Sequence, residues 1–575
     1  MHRQSFNQAS LVIVAFALAI SAAGILFSPV SGAGVCYVRA GAGGANNGTS
    51  WADAYTNLQS ALGVSPCTEI WVAAGTYKPA SGADRTATFQ LKSGVAVYGG
   101  FDGTETSREE RDWETNLTIL SGDIDSNDIA NPAEDTGEVV GNNSYHVVTG
   151  SGADTSAILD GFIITAGKSD NPPGEGGGMY INGGTPTLVN IIFSGNYASY
   201  GGGGLTTYGG ILTLTNAGFK GNSAQLGGGM ANYTNITLIE VTFSDNFATV
   251  HAGGLYNGNS TATLNDVVFV GNSVSGAGEH YGGGAMYNNF GSAILNNVVF
   301  SGNTVDSGSG GGLYNYATGN VVLNNVTFSN NTASLSGGGI YVYNTQTTIQ
   351  NSILWGNSPA QVNVQNPITV TNSLVQNGCP EKGPYSAPNT CSNIISANPQ
   401  FTDFDGIDDI IGTLDDDLRL LPASPAVGAG NNPTCTATDR LGLARPQGYT
   451  CDMGAYELPE FSISGNAGSP GVTLEYTDGI SESVTADGAG EYTLWVSPNW
   501  SGAITPSKTG YIFVPVNRSY TEVITNLIGQ DYIAQGVPII TEGESAEVTM
   551  DEDGSPNPFS LVLHASDPDG YGLYW

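Results

Sequence analysis

The stretch Gly-Gly-Gly-Leu-Tyr (310–314), followed by Leu323, Asn325, Val326 and then Phe328-x-x-Asn331, decides the fold, because the chain repeats it. The glycine–aliphatic element recurs as Gly-Gly-Gly-Met-Tyr (176–180), Gly-Gly-Gly-Leu (202–205), Gly-Gly-Gly-Met (227–230) and Gly-Gly-Leu-Tyr (253–256). It returns as Gly-Gly-Ala-Met-Tyr (283–287) and Gly-Gly-Gly-Ile-Tyr (337–341). Phe-x-x-Asn accompanies it at Phe193/Asn196, Phe219/Asn222, Phe243/Asn246, Phe269/Asn272, Phe300/Asn303 and Phe328/Asn331, with Leu354/Asn357 as a further copy. A fixed period of roughly two dozen residues marks a solenoid whose units stack only on their neighbours.

The columns of the repeat identify the solenoid. Leu188, Leu214, Leu238, Leu264, Leu295, Leu323 and Ile349 precede the Phe position, with apolar–polar alternation leading up to them, the period of a strand. Asn190, Asn216, Glu240, Asp266, Asn297, Asn325 and Asn351 then break that period, which places a tight corner there; Asn tolerates the left-handed backbone such a corner needs. Phe points inward from a second short strand, and the glycine–aliphatic–Tyr segment supplies a third. Three short strands per turn without helical periodicity predict an all-β protein, a parallel β-helix. A leucine-rich repeat needs more Leu and a shorter period. From Ile70 to Phe401 there is room for roughly a dozen coils at about 4.8 Å each, a rod on the order of 60 Å long.

Outward from the repeat, residues 1–34 read as an export signal: His2 and Arg3, an apolar run over 11–27, then Ser31-Gly32-Ala33-Gly34. The apolar run is long enough that an uncleaved anchor is the competing reading. Six cysteines in an exported chain permit three disulfides. Nearness suggests Cys36–Cys67, Cys379–Cys391 and Cys435–Cys451, though spacing alone leaves the pairing open. No Cys/His spacing matches a zinc site.

The β-helix is expected over 35–457, with 176–357 as repeat core. Ser50 and Asp53 suggest a capped helix whose apolar face, Trp51, Ala54, Tyr55, Leu58, Ala61 and Leu62, covers the open end of the solenoid. Residues 358–457 read as last coils and C-terminal cap. Residues 458–535 alternate with turn signals at Asp478-Gly479, Asp487-Gly488 and Lys508-Thr509-Gly510, a small β-sandwich. Residues 536–575 begin a further β-unit that stops short, so the sequence reads as a fragment.

Composition narrows function. Fifteen Lys and Arg against 51 Asp and Glu give a formal charge of −36, which excludes a nucleic-acid binder working through a basic surface. It also disfavours adhesion to anionic membranes. Glycine is abundant at 82 residues, but the Leu, Val and Phe columns supply a core and argue against disorder.

The paired glycine–aliphatic and Phe-x-x-Asn motifs resemble the repeats of the chlamydial polymorphic outer-membrane proteins, surface-exposed right-handed β-helices. More broadly, residues 36–457 are similar to exported bacterial β-helix proteins of the pectate-lyase-like superfamily that carry a choice-of-anchor segment. Residues 51–62, Ser93-Gly94-Val95-Ala96-Val97-Tyr98-Gly99-Gly100-Phe101 and Asp452-Met453-Gly454-Ala455-Tyr456 carry that likeness. Residues 461–535 resemble carboxypeptidase-regulatory-like sandwiches, and 536–575 the start of a cadherin-like repeat. These resemblances imply architecture rather than activity, since β-helices host lyases, glycosidases, adhesins and stalks alike.

Chemistry in the repeat is sparse. A polysaccharide lyase needs a base and a cation to neutralise the substrate carboxylate, and Lys220 is the one Lys or Arg between Glu175 and Glu381. A glycosidase needs paired carboxylates. Of Glu240, Asp245, Asp266, Glu279 and Asp306, the first three occupy turn positions of the repeat. The enlarged connection at 273–281 carries Glu279 and His280, and stacking places His251 on the coil before it, a small polar or metal site. No catalytic or cofactor-binding residue is assigned. Calcium suits the oxygen clusters Asp403, Asp405, Asp408 and Asp409, around Gly406, and Asp567 and Asp569, which resemble a cadherin-like calcium turn.

The expected protein is thus exported to the extracellular space or cell surface, the outer membrane included. It is a non-catalytic stalk of structural or adhesion type whose partner is an extracellular protein or glycan. Its membrane association runs only through an anchor outside this chain. The alternative is a polysaccharide-active lyase or glycoside hydrolase on a β-helix scaffold.

Overall fold

In the computed structural model, residues 34–64, 67–317, 319–381, 387–537, 539–540 and 565–566 are described. The leader expected over 1–34, save its last residue, and nearly all of the 536–575 unit lie outside them, as do Asp567 and Asp569. The architecture is a right-handed parallel β-helix of about eleven turns followed by a β-sandwich. Right-handedness is the hand parallel crossovers take.

The columns become ladders. Leu188 pairs with Leu159 and Leu214, Leu264 with Leu238 and Leu295, and Leu323 with Leu295 and Ile349. The ladder runs from Cys36, opposite Ile70, to Cys391, opposite Val370. Both terminal cysteines are in disulfides, Cys36–Cys67 and Cys379–Cys391, so a covalent staple closes each end of the column. The third bridge joins Cys435 and Cys451. Ile164 stands in the Phe column opposite Phe193, and from Phe193 to Phe328 the rings stack at 4.4–4.9 Å with planes within 11°. Such pairs add about 0.5–1.5 kcal/mol beyond burial. One continuous apolar core runs from Val38 to Val375.

Corners form where the Asn column predicts them. Asn190, Asn216, Glu240, Asp266, Asn297, Asn325 and Asn351 all have φ between 50° and 59°. The glycine run has a divided role. Gly310 needs its positive φ of 70°, whereas a Cβ on Gly311 or Gly312 would sit 2.4 or 2.7 Å from a carbonyl oxygen of the next coil. Only glycine lets successive coils approach that closely.

The Asn of Phe-x-x-Asn builds a buried amide ladder. Asn196, Asn222, Asn246, Asn272, Asn303 and Asn331 each donate Nδ2 to Oδ1 of the next, ending on Asn357, at 2.8–3.0 Å. Each backbone N–H from Asn196 to Asn331 donates to the same oxygens, and each Nδ2 from Asn222 to Asn357 caps a Phe carbonyl, as Asn272 caps Phe243. The ladder satisfies a turn that has left the sheet.

Three expectations need correction. The coil has a fourth short strand between the Asn and the glycine run, in a separate parallel sheet of seven that includes Phe247–His251, Ser273–Gly282 and Thr304–Ser309. The enlarged connection at 273–281 is therefore part of a bulged strand, Ser273–Gly282. The N-terminal helix covers only Leu58–Leu62, capped by Asn57, whose side chain accepts from Gln59 N. Ser50 and Asp53 do bond reciprocally, but Tyr55 pairs with Val38, so the backbone before the helix closes the edge of strand Gly34–Val38. An unpaired edge outweighs local helix signals. Finally, the segment after the hairpin Phe401–Asp403/Asp417–Leu420 runs back along the corner rather than only closing the end. Asn297 Nδ2 donates to Thr438 O, Asn325 Nδ2 to Asp452 O, and Ala455 N to Thr327 Oγ1.

The sandwich has its own core around Ile463, Leu474, Leu494, Trp500 and Ile504. The Asp478-Gly479 turn joins antiparallel strands Thr473–Asp478 and Ile480–Thr485. Tyr449 Oη donates to Thr493 O, linking the returning segment to the sandwich at 2.8 Å. At this joint Glu460 is half-buried, and burial, then the charges of Glu482, Glu457 and Asp478, push its carboxyl up to about 7 from 4.5. Folding raises its proton affinity, so its contribution to stability is whole below pH 4.5 and is lost as pH climbs through about 7. Glu460→Gln is therefore expected to melt increasingly above wild type between pH 5 and pH 8. A constant difference across that range would remove the carboxyl from the account.

Candidate functional site: a tyrosine–histidine face

The aliphatic residue after each glycine run points into the main core, so the Tyr beside it points to the other side of the strand, where Tyr256, Tyr287, Tyr314 and Tyr341 are buried in a second cluster with Leu226 and Ala252. Tyr287 stacks on Tyr314 at 4.7 Å and Tyr341 lies tilted against Tyr314 at 4.8 Å; Tyr208 and Tyr233 stack at 4.6 Å, and Tyr256 bridges the two groups at 5.7–5.9 Å. Tyr316 and Tyr343 form a parallel row at 5.3 Å. In the next position along, after Ala231, Tyr256, Tyr287 and Tyr314, Asn232, Asn257, Asn288 and Asn315 make a second buried ladder at 2.7–2.9 Å that fixes these strands.

Stacking brings His251 and His280 onto this face, as their positions in successive coils imply. His251 lies 4.1 Å from the Tyr287 ring and 5.6 Å from Tyr281. Burial, then the charge of His280, pulls its imidazole down to about 4, so it is neutral at physiological pH. His280 is exposed and edge-on to Tyr316 and Tyr343, each at 5.9 Å. The Glu279 side chain lies outside the described residues. Lower on the same face, Tyr208 Oη donates to the buried Glu175 Oε1 at 2.5 Å, and burial raises the Glu175 carboxyl. His146 stacks on Tyr180 at 5.1 Å. Tyr256, Tyr287, Tyr314, Tyr341 and the Asn ladder beside them are buried, so this side of the coil is a second packed core, with His280 exposed at its margin.

The other candidates are dispersed. Lys220 Nζ is paired with Glu134 at 3.1 Å on the surface. Glu240, Asp245 and Asp266 are turn residues with φ of 55–59°, and Asp306 is exposed. Asp403 ends the first hairpin strand, opposite Asp417, and Asp405, Asp408 and Asp409 lie on the loop that follows. Asp408 Oδ1 accepts from Ile410 N at 2.9 Å, turned into its own loop, while Asp415 accepts from Ile407 N and Asp408 N. The Asp403 carboxyl is held above its usual range by desolvation, then by Asp405, Asp409 and Asp417. Among the described residues, no group of three or more His, Cys, Asp or Glu is arranged to hold a metal ion. Asp416, adjacent to the loop, anchors it by accepting from Ser301 Oγ and Gly412 N. A cavity of about 710 Å³ in the sandwich includes Lys508, whose Nζ already donates to Ser469 and Pro470.

The Tyr of the glycine–aliphatic–Tyr motif is legible in the sequence, but not its packing into a second core; the second Asn ladder, which recurs at a fixed offset from the glycine run, is a signal left unread in the sequence.

The fold and this face define a β-helix repeat protein. The Chlamydia polymorphic membrane protein repeat matches residues 297–316 and 325–343, two adjoining coils of the repeat core. No curated protein matches the chain. Among solved structures, the crystal structure of pectate lyase Pel9A is similar at 12% identity and a TM-score of 0.38, covering 74% of this chain and 96% of that one. No helix among the described residues is long and apolar enough to cross a membrane.

Proposed function

We propose that the chain is an exported surface protein, a rigid β-helix stalk carrying a sandwich module, which binds an extracellular protein or glycan laterally and does not act on it chemically. The observation that carries this reading is how the coil side chains are engaged. Phe and Leu fill the core, the Asn ladders hold the turns, corner acids sit in left-handed turns, and Lys220 is paired with Glu134. The match to a repeat named for a polymorphic membrane protein supports surface display. The sandwich fits a spacer of the carboxypeptidase-regulatory-like kind.

Two measurements test the proposal. In intact cells producing the full protein, added protease is expected to remove the repeat region without lysis; complete protection would overturn surface display. Incubation with pectin, alginate and neutral glycans is expected to leave chain length unchanged. Reproducible cleavage, abolished by Asp266→Asn, would overturn the non-catalytic reading and favour a polysaccharide-active enzyme.

A further inference from the structure

A third amide ladder differs from the two buried ones. The outward side chains of the Leu strands align Ile239, Asn265, Asn296 and Asn324 through the parallel register. Asn296 Nδ2 donates to Asn265 Oδ1, and Asn324 Nδ2 to Asn296 Oδ1, each at 2.9 Å; Gln350 continues the row. The buried ladders satisfy backbone groups or close on turns. Here the amide side chains bond only to one another, and the row is half-exposed. An amide has two N–H donors and two carbonyl lone pairs, so each inner rung keeps one of each for a ligand.

This row floors a groove of about 550 Å³. Residues 434–438 of the returning segment form its wall, stapled by Cys435–Cys451 and held against the corner where Thr436 Oγ1 donates to Asn297 Oδ1 at 2.7 Å. Asp266 stands at the rim, accepting from Asn297 Nδ2 at 2.9 Å, and burial foremost pushes its carboxyl up to about 6. Glu240 and Asp439 add negative charge nearby, and Arg440 is the basic group close enough to act on Asp266.

We propose that this groove binds a neutral oligosaccharide, whose hydroxyls engage the unused donors and acceptors of Asn265, Asn296 and Asn324 along the 434–438 wall. Each sugar hydroxyl both donates and accepts, which matches a rung that offers one of each. The rungs repeat at the coil spacing of about 4.8 Å, so they suit a polymer presenting hydroxyls in series rather than one small solute. Surrounding carboxylates and the overall charge of −36 select against acidic polysaccharides. The inference rests on the reading of the chain as a binder and names a ligand class and a place for it.

The test uses the full chain with cellohexaose, maltohexaose, N-acetylated chitohexaose and, as the acidic control, hexagalacturonate, measured by calorimetry and saturation-transfer NMR. At least one neutral hexamer is expected to bind, with hexagalacturonate at least tenfold weaker. Asn296→Leu removes the central rung, and Ala437→Trp fills the groove from the exposed wall without touching the ladder. Both are expected to weaken binding at least tenfold with the melting temperature retained. Absence of binding by every neutral hexamer, or preference for hexagalacturonate, would overturn the groove. Binding unchanged in both variants would also overturn it while leaving the chain a binder. The protease result in cells tests surface display separately.

Discussion

Asn272→Ala is expected to cost about 3 kcal/mol or more, comparable to truncating one of the buried Phe residues beside it. Asn272 is fully buried and mid-ladder. Its Oδ1 accepts from the N–H of Asn246 at 3.1 Å and from Asn246 Nδ2 at 2.9 Å. Its Nδ2 donates to Phe243 O and to Asn303 Oδ1, each at 2.9 Å. Alanine leaves the Asn246 N–H with no acceptor in a buried turn and removes the cap from the Phe243 carbonyl; a stranded buried polar group costs about 1–3 kcal/mol. Asn272→Asp sharpens the test. The introduced carboxylate can still accept from Asn246, yet it faces the Phe243 and Asn303 oxygens where a donor stood. Protonation restores a donor, so the destabilisation is expected to shrink as pH falls and grow as it rises. Denaturant midpoints from pH 4 to pH 8 measure the effect. Hydrogen exchange should localise it to coils next to Asn272, because each coil rests only on its neighbours. A loss under about 1 kcal/mol would demote the ladder to a minor term.

The parts of this protein legible in its sequence are those it repeats. Phe193 through Phe328 sample one environment six times, so even a substituted position such as Ile164 can be placed by alignment with its neighbours. Corner residues were equally legible, including Glu240 and Asp266, where an acidic residue takes the left-handed turn. The return of residues 430–457 along the corner was not legible. It depends on single-copy contacts such as Asn325 with Asp452 and Thr327 with Ala455, between residues far apart in the chain. Close approach of Gly302 to Gly412, where a Cβ on Gly302 would lie 2.3 Å from the Gly412 Cα, has no pattern of its own. The groove inherits that limit: its floor belongs to the repeat, but its wall comes from the returning segment. The N-terminal helix failed for another reason, since Ser50 and Asp53 signal a turn and cannot reveal the strand edge that Tyr55 pairs with.

Arg445→Met is expected to release the returning segment while leaving the rod folded, at a cost of about 3–5 kcal/mol to that segment. The Arg445 and Glu457 side chains are 0% and 1% exposed, joined at 2.7 Å. The guanidinium also donates to the carbonyls of Asp452 and Gly454. Glu457 in turn accepts from Gln447 N and Asp452 N, and Asp439 accepts from Glu457 N. One guanidinium thus organises a turn in which Asp439, Asp452 and Glu457 converge. Burial, then the Glu457 charge, pushes the Asp452 carboxyl up, and burial likewise raises Glu457 against the pull of Arg445. Methionine fills much of the volume but strands a buried carboxylate and two carbonyls. The same turn seals coils below it, through Gly454 N to Asn351 O and Ala455 N to Thr327 Oγ1, so its loss should expose the corner rather than the Phe stack. Removing the cation makes protonation of Glu457 more favourable, and the deficit is expected to be largest near pH 8 and smaller near pH 5. Limited proteolysis with mass spectrometry should find new cuts between residues 421 and 457 and none in 176–357. Arg445→Met with Glu457→Leu is expected to recover part of the loss, since it replaces the ion pair instead of breaking it. If the single variant melts the rod and the segment together, the segment is part of the solenoid's cooperative unit and this assignment fails.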